Sequence, residues 1–452
     1  MTDLVGVERH TEAVRRLSAS YDAIPLGAPV RLAKSTSNLF RTRSRTRVPG
    51  LDVSGLVGVI DVDTDTGTAD VQGMCTYEDL VDVTLRRGLI PCVVPQLRTI
   101  TLGGAVSGLG IESTSFRSGL PHETVLEIDV FGGDGQVRTA RPGDDLFDAF
   151  PNSYGSLGYA TRLRIQLERV PAFAALQHVR FGALGDAARA IAQIVEDGTY
   201  DGQRVDALDG VAFEPTEIYL TVAKFTDQDG PTSDYTGMQP FFRSLQQRTT
   251  DRLTIHDYLW RWDTDWFWCS GAFGLHNPRV RRWWPRRWRR SDVYHRLVGL
   301  ETRFGFKSRL DRRRGLPERE RVIQDIEVPV EQLAEFVNWF DIEIGMRPVW
   351  LCPLRSTRQW PAYPLTPGVT YVNVGFWGTV PILPGAHDGD RNRAIETKVT
   401  ELGGHKSLYS DSYYDRETFD RLYDQTLQRD VRQRTDPEGR LSDLYEKAVA
   451  HR

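Results

Sequence analysis

Leu126, Ile128 and Val130 alternate with Glu127 and Asp129, the run stops at Gly132-Gly133-Asp134-Gly135, and Val137 resumes it. A period of two broken by Asp-Gly predicts a strand, a tight turn and a returning strand. By the same reasoning 57–63 and 68–71 form a hairpin, 160–170 a strand, and 217–224, 321–328 and 370–376 further strands. Helical pieces are expected at 77–87, stopped by Gly88, at 144–147, 184–196 and 330–340, and in the tail with Phe419 and Leu422 on one face. There is no internal repeat and no long low-complexity linker.

One stretch breaks this pattern. From Thr99 to Gly119 the chain reads TITLGGAVSGLGIESTSFRSG, rich in glycine, serine and threonine. Glycine removes the Cβ that would hold a ligand off the main chain and tolerates positive φ, so backbone N–H groups can converge on phosphate or ring oxygens. The spacing excludes a Gly-x-Gly-x-x-Gly fingerprint opening a helix, and no lysine follows the glycines as a P-loop requires. Taken alone, the loop is as readily a turn without a ligand.

Its surroundings decide the matter. Val94-Pro95-Gln96-Leu97 leads into Thr101-Leu102-Gly103-Gly104; Ser118-Gly119-Leu120-Pro121-His122 precedes the strand; Gly133-Asp134-Gly135 makes the turn; and Gly155-Ser156-Leu157-Gly158 enters the next strand. Together, over 34–171, these pieces resemble the flavin-binding domain of the vanillyl-alcohol-oxidase (p-cresol methylhydroxylase, PCMH) superfamily. The fold class implied is α+β: a two-subdomain PCMH-type FAD-binding domain (1–172), a mixed α/β substrate or cap domain (173–399), and a C-terminal segment (400–452) returning to the FAD domain. The resemblance assigns cofactor contacts to Thr99, Ile100, Thr101, Gly103, Gly104, Gly108, Ser113 and Gly158, places His122 beside the cofactor, and puts Lys34 and Ser35 in the first phosphate loop. Since 32–39 contains neither histidine nor cysteine, the FAD is expected to be held without a covalent bond.

Further motifs narrow the branch. Gly110-Ile111-Glu112-Ser113, Pro348-Val349-Trp350-Leu351-Cys352-Pro353, Tyr371-Val372-Asn373-Val374-Gly375 and Leu408-Tyr409-Ser410-Asp411-Ser412-Tyr413 are similar to the Δ24-sterol reductases, flavoenzymes that reduce an isolated double bond with NADPH. That branch also holds actinobacterial proteins that reduce a mid-chain methylene of a fatty acyl group to a methyl branch, the step to 10-methylstearic (tuberculostearic) acid. The arginine-rich chain resembles the bacterial group more. The resemblance therefore implies NADPH as electron donor, a phospholipid acyl chain as substrate, and functional partnership with an S-adenosylmethionine-dependent fatty-acyl methyltransferase.

Length and charge fit this frame. The 452 residues suffice for two cores, and a net charge of −4 gives no pull toward nucleic acid. Cys75, Cys92, Cys269 and Cys352 lie far apart, so neither a metal site nor a disulfide framework is expected. No stretch of eighteen apolar residues occurs, which predicts a cytoplasmic protein. One segment departs from the average: 258–290 holds seven of the eleven tryptophans, and 279–290 seven arginines. Indoles favour the membrane interface and basic side chains an anionic leaflet. The segment is therefore expected to rest on the inner face of the plasma membrane; a buried aromatic seam beside a solvated basic helix is the competing reading.

Reducing an unconjugated methylene sets a chemical requirement. Protonation of the terminal carbon makes a tertiary cation that hydride can then meet, so an acid with a pKa raised by burial must stand near a lipid-shaped tunnel. Glu112, in the glycine-rich loop between apolar neighbours, is the first candidate, and Asp411, Tyr409 and His405 are offered by the tail. Glu112 could equally cap backbone N–H groups or meet Arg117. Two other functions remain open: an FAD-dependent oxidase or dehydrogenase of a sugar, alditol or sterol, and a lipid-binding protein with a vestigial flavin fold. Ser410 at the position where oxidase relatives carry a lysine speaks against the first.

Overall fold

The computed structural model describes residues 4–34, 40–41, 48–108, 110–304, 315 and 317–450. Strands β1 (Val59–Asp63), β2 (Thr68–Gln72), β3 (Leu89–Pro91), β4 (Val125–Phe131), β5 (Val137–Ala140) and β6 (Tyr159–Arg169) form a six-stranded antiparallel sheet in the order β1-β2-β6-β4-β5, with β3 also on β6. The expected hairpins are β1–β2 and β4–β5. On its charged face Arg162 of β6 pairs with Asp70, Glu127 and Asp129. This explains why acids alternate with apolar residues along β4. The helix Tyr77–Thr84 starts at Thr76, whose side chain accepts from Asp79 N, and a last tight turn ends at Gly88 with φ 67°.

Strands β7 (Phe173–Phe181), the small β8 (Thr199–Tyr200) and β9 (Gln203–Arg204) hairpin, β10 (Ala207–Glu214), β11 (Glu217–Thr226), β12 (Thr250–Thr254), β13 (Arg319–Pro329), β14 (Val349–Leu354), β15 (Tyr371–Pro381) and β16 (His405–Lys406) follow. Apart from β8 and β9 they make one eight-stranded antiparallel sheet, β12-β7-β11-β10-β14-β15-β13-β16. One face carries Leu208, Leu220, Leu351, Val374 and Ile326 against the helices Leu184–Asp197 and Leu333–Glu343. The opposite face carries Leu176, Val211, Trp350 and Cys352 into a core continuous with Val71, Val106 and Leu163 of the first sheet. The largest core thus spans both halves of the chain, and burial there costs no separate interface.

The helix Gly6–Asp22 had no signal in the sequence reading; it packs Ala13 and Leu17 beside Phe131 and Leu441. The tail first adds β16 to the second sheet and then runs along the first half, where Gln428 Nε2 donates to Ala149 O (3.2 Å) and Asp134 N to Thr435 O (3.2 Å). The Trp/Arg segment divides. Trp260, Trp262 and Trp266 are core residues, so the membrane expectation is corrected for them: Trp262 Nε1 donates to buried Asp209 at 2.7 Å, and rings of Phe241 and Phe267 pack on its indole. The stretches 277–280 and 282–288 stay largely at the surface, with Trp283 86% exposed.

Candidate active site

A cavity of about 290 Å³ lies where the glycine-rich loop of the first half meets the inner face of the second sheet. Gly103, Gly104, Gly155 and Gly158 line one part of it. Gly158 has φ 121°, and a Cβ there would stand 2.3 Å from Phe131 O; a Cβ on Gly103 would stand 2.6 Å from Gly73 O. Both positions therefore admit only glycine without backbone movement. Phe40, Trp266, Phe267, Trp350, Trp377 and Tyr409 form an aromatic wall. Within it Phe267 stacks on Trp377 at 4.2 Å and Phe40 on Trp266 at 5.8 Å. Tyr154, Trp266 and Phe267 hold φ of 47°, 47° and 59°, a region costly for bulky side chains, and all three line the cavity. Three of the five non-glycine residues with positive φ among the described residues thus line this one cavity, and backbone strain gathered in this way points to a site.

Of the residues proposed from sequence, Lys34, Thr99, Ile100, Thr101, Gly103, Gly104, Gly158 and Tyr409 line this cavity. Ser35 lies outside the described residues. Gly108, Glu112, Ser113, His122, His405 and Asp411 do not line it. Gly108 supports it from behind, since a Cβ would meet the Tyr154 ring at 2.9 Å. His122 packs edge-on against Trp360 at 4.6 Å and His405 against Tyr363 at 4.8 Å; burial lowers their pKa values to about 4 and about 3, so both are neutral rings. Asp411 faces Arg321 at 3.4 Å.

The acid that does line the cavity is Asp325 of β13. Asn373 Nδ2 donates to its Oδ1 at 2.8 Å, and the Tyr409 hydroxyl, which accepts from Trp377 Nε1 at 2.9 Å, is also hydrogen-bonded to it. Burial pushes its pKa to about 6 against the opposing pull of those two hydrogen bonds. Gln96 adds an amide nitrogen, buried at the cavity and without an acceptor among the described residues. Sequence reasoning missed Asp325 because an acid alternating with apolar residues reads as a solvent-facing position.

Comparison with known proteins now adds to the geometry. Residues 9–141 match the FAD binding domain family. Over most of its length the chain is similar to a Δ24-sterol reductase homolog of Caenorhabditis elegans (23% identical, 82% of this chain and 73% of that protein). It is likewise similar to the Δ24-sterol reductases of Homo sapiens (24%; 87% and 76%) and Arabidopsis thaliana (25%; 89% and 77%). A shorter match, 33% over 115 residues, or 25% of this chain and 22% of that protein, is to cytokinin dehydrogenase 1 of Oryza sativa subsp. japonica. These matches support a place in the vanillyl-alcohol-oxidase (PCMH-type) superfamily, in its Δ24-sterol-reductase-like branch. As an FAD-dependent oxidoreductase of that branch, the chain has a cavity whose two parts fit the cofactor's two parts. The glycine backbone that lines the cavity at Gly103, Gly104 and Gly158 suits a pyrophosphate, the aromatic wall suits a flat ring system, and the unpaired Gln96 amide is a donor awaiting an acceptor.

Behind this flavoprotein's cavity lies a second group of buried charges. Glu112 accepts a short hydrogen bond from Ser113 Oγ and lies 3.5 Å from Arg261, which pairs with Asp209 at 2.8 Å. Glu112 Oε2 has no partner among the described residues, and burial raises the carboxyl pKa to about 7. One guanidinium thus faces two carboxylates, and the surplus charge is relieved by a proton on Glu112. Because the folded state holds that proton at a pH where the unfolded chain has lost it, stability must fall as pH rises from about 4.5 through about 7. Glu112→Gln removes this loss. The melting temperature of the variant relative to wild type is expected to climb between pH 5 and pH 8; a difference independent of pH would rule out Glu112 as the titrating group.

Proposed function

We propose that this flavoprotein reduces an isolated carbon–carbon double bond in a lipid, converting a 10-methylene-stearoyl phospholipid to its 10-methylstearoyl (tuberculostearoyl) form. The observation that carries this reading is Asp325: a buried carboxyl with a raised pKa, set beside an aromatic, largely apolar wall. An acyl chain packed against Asp325 beside the bound flavin would expel water and raise that pKa further. Asp325 then places its proton on the terminal methylene carbon, the π electrons form the new C–H bond, and the tertiary centre faces the Trp350 and Trp377 rings, which favour a cation. When bound, FAD would supply hydride chemistry, the two electrons coming from the donor and ending in the second C–H bond at the tertiary centre. Tyr409 holds the carboxyl in place and Asp325 recovers its proton from water.

NADPH is the proposed donor, as the family resemblance implies, and the FAD is proposed to be held non-covalently, since neither histidine nor cysteine lines the cavity among the described residues. The methylene substrate would be supplied by a methyl transfer to an unsaturated acyl chain, which makes a fatty-acyl methyltransferase the functional partner. Among the described residues no helix is long and apolar enough to cross a membrane, so access to phospholipid is proposed to be peripheral, from the cytoplasmic side.

Anaerobic reduction tests the reading. NADPH should bleach the flavin absorbance, and phospholipid bearing a 10-methylene acyl chain should restore it as the 10-methyl product appears by mass spectrometry. If only oxygen restores the flavin while the acyl chain is unchanged, the oxidase reading replaces this one.

A further inference from the structure

A second cavity, of about 500 Å³, lies outside the flavin site and is lined by Arg243, Arg281, Arg282, Arg286 and Arg289, with no carboxylate on its wall. Only part of this charge is answered nearby. Arg281 is held by Asp265 through two hydrogen bonds of 2.6 and 2.9 Å, and exposed Arg286 stands 3.6 Å from Asp234. Arg289 is 6% exposed, yet its guanidinium donates only to the carbonyl oxygens of Thr236, Arg281 and Trp284. Its Nε has no acceptor, and no carboxylate lies within ion-pair distance among the described residues. Burial and the neighbouring Arg281 push its pKa below the ordinary arginine value. Asp265, already paired with Arg281, offsets this only in part, so a buried cation with no ion pair of its own remains costly, and an anion in this cavity would offset the cost.

The rim says which anion. Trp283 and Trp288 are 86% and 47% exposed, Val280 is 40% exposed beside them, and the Arg287 guanidinium lies 5.7 Å over the Trp288 ring. A soluble phosphate or a dinucleotide would answer the arginines and leave the bare indoles unexplained. A headgroup layer answers both, since indole rings partition to that depth.

We infer that this face docks on an anionic phospholipid surface, with the arginine cavity taking a headgroup phosphate and Trp283 and Trp288 entering the headgroup layer. The inference rests on the lipid-substrate reading above and gives that substrate's head a place. A row of rings links the two cavities: Phe267 of the flavin cavity lies against Trp268 (5.9 Å), Trp268 against Phe242 (6.3 Å), and Phe242 against His276 of the arginine cavity (5.2 Å).

Co-sedimentation of the full-length flavoprotein with phosphatidylglycerol and with phosphatidylcholine vesicles tests it, with tryptophan emission as a second readout. Wild type should bind phosphatidylglycerol vesicles more strongly than phosphatidylcholine ones, with a blue shift in emission. Arg282→Glu/Arg286→Glu, both at exposed positions, should lower the partition coefficient by about tenfold or more, and Trp283→Ala should lose most of the blue shift. Equal binding by wild type and both variants would overturn the inference. So would absence of vesicle binding combined with thermal stabilisation by inorganic phosphate or NADPH in wild type that the double variant lacks, which would assign the cavity to a soluble phosphate. Vesicle binding is read without turnover. An unreactive acyl chain therefore counts against the reductase reading alone, and a protein that reduces dispersed substrate without binding vesicles counts against this one alone.

Discussion

Asp325→Asn is expected to slow alkene reduction by about 10²–10⁴-fold, the range for loss of a positioned general acid. The loss should fall on the half-reaction in which the reduced enzyme meets the lipid, because reduction of the flavin by the donor needs no proton from Asp325. In wild type kcat/KM for the lipid should decline as pH rises above about 6, since the protonated fraction of an acid with that pKa in the free enzyme falls there, with the kcat limb at higher pH. The variant should be slow at every pH. Tyr409→Phe removes one of the two hydrogen bonds that oppose protonation of Asp325 and frees the carboxyl to turn. It should cost less, roughly tenfold, and shift the pH limb upward. Stopped-flow measurement of each half-reaction separates these outcomes. An Asp325→Asn enzyme that reoxidises on the acyl chain at the wild-type rate would return the acid role to another group.

The sequence was most informative where local chemistry alone determines structure. The Gly133-Asp134-Gly135 turn between β4 and β5, the stop at Gly88 and the alternation along β6 depend on φ and on a period of two, both legible in a single chain. The glycines of the 99–119 loop were legible for the same reason. The acid was not. Asp325 and Glu327 alternate with Ile326 and Val328, a pattern that ordinarily sends the acids to water, but β13 is covered on both faces. Asp325 meets the cavity, and Glu327 lies buried against Ser407 with its pKa raised by desolvation. Whether a polar face meets solvent or another half of the chain is a long-range fact that no local period contains. The tryptophans misled in the opposite direction. Trp260 and Trp262 belong to the core seam, whereas Trp283 and Trp288 stand free, and only packing distinguishes the two pairs.

The largest stability effect should come from Arg261→Met. The Arg261 side chain is wholly buried, its Nη1 donates to Tyr258 O at 2.8 Å, and its guanidinium lies 4.0 Å over the Tyr258 ring. A methionine fills much of that volume but leaves Asp209 and Glu112 without a cation. Breaking a buried pair by removing one partner typically costs about 3–5 kcal/mol, because the remaining charge stays desolvated. Glu112 can escape by keeping its proton, its pKa already being near 7, whereas Asp209 also accepts from the indoles of Trp262 (2.7 Å) and Trp350 (3.2 Å), which hold it in place beside the vacated cation position. The penalty should therefore follow Asp209. Arg261→Met/Asp209→Asn, in which the amide oxygen can still accept from both indoles, should recover more than half of the loss, while Arg261→Met/Glu112→Gln should recover little at pH 6. Urea midpoints of the four proteins check this. Because Trp350 also lines the flavin cavity, retained FAD read on the same samples connects the charge cluster to the site: loss of flavin in Arg261→Met and its return with Asp209→Asn would show that the cluster fixes the aromatic wall through Trp350.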